Sequence, residues 1–359
     1  MVRPLRARID LEALRHNCGV VRRHCGDAHV WAVVKADAYG HGLFRTVRAL
    51  SGRVDGFALL ELDAALALRA AGTEQPLLLM EGFYGSDEIA VHVTHRLTPV
   101  LHRLDQVQAW AERASGYPAV VKLNTGMNRL GLDPAQLAAA LALLAPAVAG
   151  GAVTLMTHFA DADEERGVAE QWTAFCDVLA VHPLPFSAAN SAALLRYPHT
   201  CGSARDWVRP GIMLYGASPF PQLQNAAALG LRPAMTLESR LIAVRELKAG
   251  DRIGYGGSFT AVQPMRIGIV ACGYGDGYPR HAPSGTPVLV AGRRTRSLGR
   301  VSMDKICVDL DGLPSAQVGT PVTLWGEGLS ADEVAAAAGT VSYELFCALA
   351  RRVAVEEIG

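Results

Sequence analysis

The sequence predicts an α/β protein: a (β/α)8 TIM barrel followed by a mostly β C-terminal domain. Three observations carry that expectation. Eight short apolar, β-rich runs alternate with helix-spaced stretches through the first two-thirds of the chain. After Gly230 the alternation stops, and strand-like runs follow one another between Gly, Asp and Pro turns. Most of the unusual polar residues of the first region sit at the C-terminal ends of its strand runs, the face on which barrels of this kind carry their active sites.

The eight runs fall at 31–34, 57–60, 77–80, 97–101, 119–123, 153–157, 186–189 and 207–214. Between them, Leu62-Asp63-Ala64-Ala65-Leu66-Ala67-Leu68-Arg69 has helical spacing, and Asp133-Pro134 reads as an N-cap with proline at the first helical position. A doubly wound sheet needs about six strands, so the count favours a barrel. In the second region 235–247, 266–271, 286–290, 300–310 and 321–325 read as strands. Only 330–339 and 343–353 read as helices, the first with Ser330 as N-cap and Gly339 as C-cap. The expected domains are 1–230 and 231–359.

A chain of 359 residues is long enough for a large domain and a smaller one. Half of it is hydrophobic and its formal net charge is zero, which suggests neither nucleic acid nor an anionic membrane surface as a partner. No apolar signal core follows the basic start, and the Ala-rich run 137–152 is interrupted by Pro146 and Gly150, too short to span a bilayer. The expected compartment is the cytoplasm. The 7 cysteines contain no Cys-x-x-Cys pair and no nearby histidine fork, so free thiols and no bound metal are expected.

Among the strand-end residues Lys35 stands out. It ends the apolar run Val30-Trp31-Ala32-Val33-Val34, and the other lysines are only Lys122, Lys248 and Lys305 in a chain with 34 basic residues. Partial desolvation there favours the neutral, nucleophilic amine that Schiff-base chemistry with an aldehyde requires, although a strand-end lysine that snorkels reads the same way. Arg129 follows the fifth run, His158 the sixth and Asn190-Ser191 the seventh, while Arg209, Gly211 and Ile212 accompany the eighth. Alone, His158 reads as a structural histidine and Arg129 as a loop brace; their convergence on one face is the signal. Phosphates often sit in the loops after barrel strands seven and eight, so a strand-one lysine opposite such a cradle suggests pyridoxal phosphate. Gly273-Tyr274-Gly275-Asp276-Gly277 fits no nucleotide-binding pattern.

The run Ala32-Val33-Val34-Lys35-Ala36-Asp37-Ala38-Tyr39-Gly40-His41-Gly42 resembles the pyridoxal-phosphate lysine motif of the alanine racemase family. The resemblance continues through 122–131, 157–161, 189–191, 209–216, 253–257, 273–280, 302–304 and 343–345. It implies a homodimer with shared active sites that interconverts L- and D-alanine by a two-base mechanism. Lys35 would hold the cofactor and act as base on one face, and Tyr255 from the second subunit would act on the other. Arg129 would lie by the substrate carboxylate, His158 beneath the pyridine ring, and Arg209 at the ring nitrogen. Tyr39, Asn190, Ser191, Gly211, Ile212 and Tyr343 would surround the phosphate, with Met303 and Tyr274 walling the substrate pocket. Lys122 matches a lysine that some relatives carry carbamylated to brace Arg129; Asn124 stands where many relatives have Asp, and Lys305 is not the commonest choice at its position. An always-protonated arginine at the ring nitrogen leaves that nitrogen unprotonated, a weaker electron sink that favours reprotonation over side reactions. The competing readings are a broad-specificity racemase, a basic-amino-acid decarboxylase of the same architecture, and a regulatory cofactor-binding protein built on a single barrel. Tyr255-Gly256-Gly257 and Arg209 favour the alanine racemase.

Overall fold

The computed structural model describes residues 3–359, which divide into two compact units. One comprises Cys18–Ala38 and Leu43–Leu214; the other comprises the described residues up to Asn17, Tyr39–Gly42 and Tyr215–Gly359.

The chain's first strand, β1 (Arg6–Asp10), belongs to the second unit, and the next eight close the barrel of the first: β2 (His29–Val33), β3 (Gly56–Leu59), β4 (Leu77–Leu79), β5 (Leu97–Leu101), β6 (Ala119–Lys122), β7 (Val153–Met156), β8 (Phe186–Asn190) and β9 (Trp207–Arg209). Each pairs in parallel with its neighbour, and β9 returns to β2 through His29 opposite Trp207. Helices follow the strands, among them Leu43–Leu50, Leu62–Ala70, Leu104–Arg113 and Ala169–Val181. A strand covered by helices outside and packed side chains inside has no polar face, which is why β3 and β4 are buried along their whole length and read as unbroken apolar runs. The eighth run stops at Arg209 rather than continuing to 214, because Pro210 has no N–H to continue the ladder and a 3-10 turn, Ile212–Tyr215, follows.

Inside the barrel Trp31 on β2 stacks on Trp207 of β9, centroids 4.1 Å apart. Gly56 on β3 makes room for it: a Cβ there would stand 2.4 Å from the Trp31 ring and 2.9 Å from the Pro76 carbonyl oxygen.

The second unit is built on an eight-stranded sheet of β1, β10 (Met235–Leu247), β13 (Met265–Val270), β14 (Pro287–Val290), β15 (Arg293–Leu298), β16 (Ile306–Asp309), β17 (Pro321–Trp325) and β18 (Ala354–Ile358), with a small hairpin, β11 (Arg252–Ile253) and β12 (Phe259–Thr260), beside it. The long β10 pairs with β1 and β17 along its first part and with β13 along its second, so that six of the strands form a ring. The chain thus passes from one unit to the other at 214/215 rather than 230, and the N-terminal strand joins the C-terminal sheet. The reason lies in β1: Ala7 and Ile9 are fully buried while Arg6 and Arg8 reach Glu238 across the strand pair, a period of two that suits a half-exposed sheet and not a barrel strand. Three other expectations shift. The 300–310 run narrows to β16, β15 is an unexpected strand because its arginines are exposed, and the last helix ends at Cys347, with β18 after it.

Gly56→Ala should destabilise the protein by about 1–3 kcal/mol through overpacking. Gly150→Ala, whose Cβ would meet nothing closer than 3.5 Å, should be close to neutral. Urea unfolding of both variants checks the difference.

Candidate active site

The geometry at the end of β2 is unusual. Directly after Lys35, four consecutive residues other than glycine, Ala36, Asp37, Ala38 and Tyr39, have φ between 52° and 54°, a full left-handed turn. Each L-residue held there costs roughly 1–2 kcal/mol. Asp37 helps to fix the turn by accepting the Leu43 N–H at 2.7 Å, which also caps the helix Leu43–Leu50. Lys35 itself is half-buried at the barrel's C-terminal end.

Arg209 anchors the centre of that end. Its guanidinium is 4% exposed and donates to Ser187 Oγ at 2.6 Å, to the Thr157 and Ala188 carbonyls at 2.7 and 3.2 Å, and to His158 Nδ1 at 3.2 Å. Because Arg209 can only donate, Nδ1 is the acceptor and the proton of the neutral ring sits on Nε2. Burial lowers the guanidinium to about 10. Burial, followed by the charges of Arg209, Lys122, Arg129 and Lys35, holds His158 well below the usual imidazole range. Lys122, the last residue of β6, is buried and pushed down to about 8, first by desolvation and then by Arg209 and Arg129. Glu81, after β4, is the one acid among the charges acting on Lys122. Four cations, Arg209, Lys122, Arg129 and Lys35, thus act on His158 at the barrel mouth.

Arg129 is exposed on the loop after β6. Asn124 shapes that loop: its Oδ1 accepts the Gly126 and Asn128 N–H groups at 3.2 and 2.9 Å, and Nδ2 donates to Asn128 Oδ1 at 2.9 Å. An amide provides the extra donor that a carboxylate in this position would lack. After β8, Asn190 caps the short helix Ser191–Arg196 by accepting the Ala193 N–H, and Ser191 Oγ accepts the Gly211 N–H at 2.8 Å, which joins the last two strand-end loops. Ile212 is fully buried behind Gly211. Sequence reasoning missed Ser187, Thr157 and Gln171, which frame these groups; a lone hydroxyl in the buried run Ser187-Ala188-Ala189 was the available signal for the first.

In the second unit Tyr39 and Tyr343 come together, ring centroids 5.8 Å apart, and burial pushes the Tyr39 phenol above its usual range. Gly40 allows this segment to pack, since a Cβ there would stand 2.1 Å from the Phe346 carbonyl oxygen. Tyr255 is 75% exposed on the loop between β11 and β12. Ile253 and Phe259 root that hairpin in an apolar cluster with Ala261, Met265, Ile267 and Leu298. Arg252 donates to the Gly256 carbonyl at 2.7 Å. Tyr274 and Met303 lie on adjacent turns joined by Tyr274 N–H to Ser302 O at 3.1 Å and Gly275 N–H to Met303 O at 2.9 Å. Beneath them the fully buried Asp276 accepts from Arg3 and, at 2.8 Å, from Arg352, which also holds Asp304 at 2.7 Å.

Residues 9–219 match the family described as alanine racemase, N-terminal domain, and residues 234–356 match alanine racemase, C-terminal domain. A protein named alanine racemase from Thiobacillus denitrificans is 56% identical over 361 residues, covering 100% of this chain and 97% of its own. One named alanine racemase, catabolic, from Salmonella typhimurium is 48% identical over 355 residues, covering 98% of this chain and 99% of its own. The crystal structure of biosynthetic alanine racemase from Pseudomonas aeruginosa matches with a TM-score of 0.93 at 45% identity, covering 100% of both chains. On this evidence the chain belongs to the alanine racemase family.

Proposed function

We propose that this protein is a cytoplasmic, homodimeric alanine racemase that interconverts L- and D-alanine with pyridoxal phosphate held at the mouth of its barrel. The observation that carries the reading is the cationic crowd there: Arg209, Lys122, Arg129 and Lys35 all act on His158, and Arg209, Arg129 and Lys35 act on Lys122. Such a donor set fits a ligand that brings a phosphate dianion, a phenolate and a ring nitrogen acceptor. Asn190, Ser191, Gly211 and Ile212 at the ends of β8 and β9, with Tyr39 and Tyr343, would receive the phosphate; Arg209 would donate to the ring nitrogen and His158 would lie beneath the ring. Among the described residues no helix is long and apolar enough to cross a membrane.

Bound pyridoxal phosphate supplies an electrophilic carbonyl and a conjugated ring that takes up the electron pair left when the α-proton departs. The protein supplies the rest. Inverting a stereocentre requires a proton removed from one face and returned to the other, so two bases must flank the α-carbon. Lys35 Nζ is the base on one face. Tyr255 Oη of the partner subunit is the base on the other, with its 75% exposure in the single chain leaving it accessible to a second subunit. Arg129 orients the substrate carboxylate, and Met303 and Tyr274 limit the side chain to a methyl group. Arg209, unable to accept a proton, leaves the ring nitrogen unprotonated and so limits how far charge drains into the ring.

Borohydride reduction of the purified protein should fix the cofactor on Lys35, with Lys35→Ala losing nearly all activity. A labelled peptide containing Lys122, Lys248 or Lys305 would contradict the assignment. Lys35→Ala and Tyr255→Phe homodimers should each be defective, the tyrosine change by about 10²–10⁴ in rate. Mixing equal amounts with verified subunit exchange should restore roughly a quarter of wild-type activity, since half the dimers are then mixed and each holds one intact site. Mixed dimers that stay inactive would remove Tyr255 from the partner's site. In the cofactor-free protein, Lys122 binds fewer protons when folded than unfolded between about 8 and the ordinary 10.5, so stability rises with pH across that window. Lys122→Met should therefore melt above the wild type near neutral pH, with the gap closing toward pH 10.5, as followed by thermal unfolding across that range.

A further inference from the structure

The loops that carry Arg129 and His158 leave the barrel side by side after β6 and β7, and the side chain of Gln171 bonds to both. Gln171, in the first turn of the helix Ala169–Val181, is 8% exposed. Its Oε1 accepts the Ala160 N–H at 2.7 Å, and its Nε2 donates to the His158 carbonyl at 3.1 Å and to Thr125 Oγ1 at 3.3 Å. The partners fix the amide's orientation, because an N–H needs an acceptor and a carbonyl needs a donor.

The hydroxyls extend the connection. Thr157 Oγ1 donates to the Leu123 carbonyl at 3.3 Å, so its 2.7 Å bond to Thr125 Oγ1 must be donated by Thr125. Protons then run in one direction, from Gln171 to Thr125, from Thr125 to Thr157 and from Thr157 to the Leu123 carbonyl, an arrangement in which each bond polarises the next. The carbonyl of the same Thr157 receives Arg209 Nη2 at 2.7 Å. Gly126 lets the Arg129 loop lie on the stem of Gln171, where a Cβ would stand 3.3 Å from Gln171 Cγ.

We propose that Gln171 is a positioning residue for racemisation, its carboxamide clamping the Arg129 and His158 loops in the spacing that substrate and cofactor require. The inference rests on the pyridoxal-phosphate reading of the barrel mouth, and its test separates the two.

Gln171→Met keeps the length and loses the polar contacts. It should lower kcat/KM for alanine about 10–100-fold, the loss of two or three modest hydrogen bonds. In the cofactor-free protein, peptides covering 123–131 and 157–161 should exchange amide hydrogens faster, with the remainder of the barrel unchanged. Gln171→Glu retains the acceptor for Ala160 but turns a carboxylate toward the His158 carbonyl; protonation restores the donor. Its activity relative to wild type at the same pH should rise as pH falls, while the corresponding ratio for Gln171→Met stays flat. Thr125→Val removes the links to Gln171 and Thr157 but leaves the bonds from Gln171 to Ala160 and His158, so exchange should quicken more in 123–131 than in 157–161. If Gln171→Met does not fold, the other two variants decide. Near-wild-type kcat/KM with unchanged exchange overturns the clamp, and so does a Gln171→Glu ratio as flat as that of Gln171→Met, the result expected of packing alone. Wild-type protein that neither binds pyridoxal phosphate nor racemises alanine would overturn the underlying reading, and with it the positioning role, even where the exchange results show the loops joined.

Discussion

The arrangement at the barrel mouth depends on one buried charge. Arg209 is almost fully buried, and its hydrogen-bond partners are two carbonyls, a hydroxyl and a neutral imidazole, with no carboxylate among them. A buried ion without a counter-ion costs several kcal/mol even after relaxation. Lys122, Arg129 and Lys35 add like charge to the same neighbourhood, and burial first, then these charges, hold Lys122 and His158 below their ordinary values. An anionic, acceptor-bearing ligand relieves that cost on arrival.

The second unit handles a buried charge in the opposite way. Asp276 is equally inaccessible, but Arg3 and Arg352 both meet it, and the Gly273 N–H adds a bond at 2.9 Å. The result is a neutralised brace that fixes the turns of Tyr274 and Met303. Charge is compensated beneath the turns of Tyr274 and Met303 and left open at the barrel mouth. The left-handed turn after Lys35 belongs with the second kind, because four strained residues persist only where the surrounding structure holds them. The strain falls next to Lys35, beyond the end of a strand that could not itself hold it.

Much of the barrel was legible because strands buried on both faces appear as unbroken apolar runs, and Met235–Leu247 was legible to the residue as a long strand. The N-terminal strand was not, since Arg6 and Arg8 interrupt it, and β15 was hidden by three exposed arginines. Lys35, His158 and Asn190 were singled out by position directly beyond a strand run, Lys35 also by the scarcity of lysines, and Arg209 by its place in the eighth run. Tyr255 could be reached only through family resemblance: one exposed tyrosine between glycines carries no spacing signal. Nothing in Ala36-Asp37-Ala38-Tyr39 announces a left-handed turn, because none of these residues is a glycine. Gln171 resembled any polar residue of an amphipathic helix, and only the three-dimensional meeting of two loops reveals its connections.

The most direct test is the protonation state of the ring nitrogen that the proposed role of Arg209 predicts. Pyridoxal phosphate labelled with nitrogen-15 in its ring, bound to the protein and observed by NMR between about pH 6 and 9, reports whether the ring nitrogen carries a proton. An arginine that can only donate predicts an unprotonated, hydrogen-bonded nitrogen with a shift that does not titrate across the range. A pyridinium shift at neutral pH would contradict the role assigned to Arg209 and, with it, the account of how this site controls the reaction.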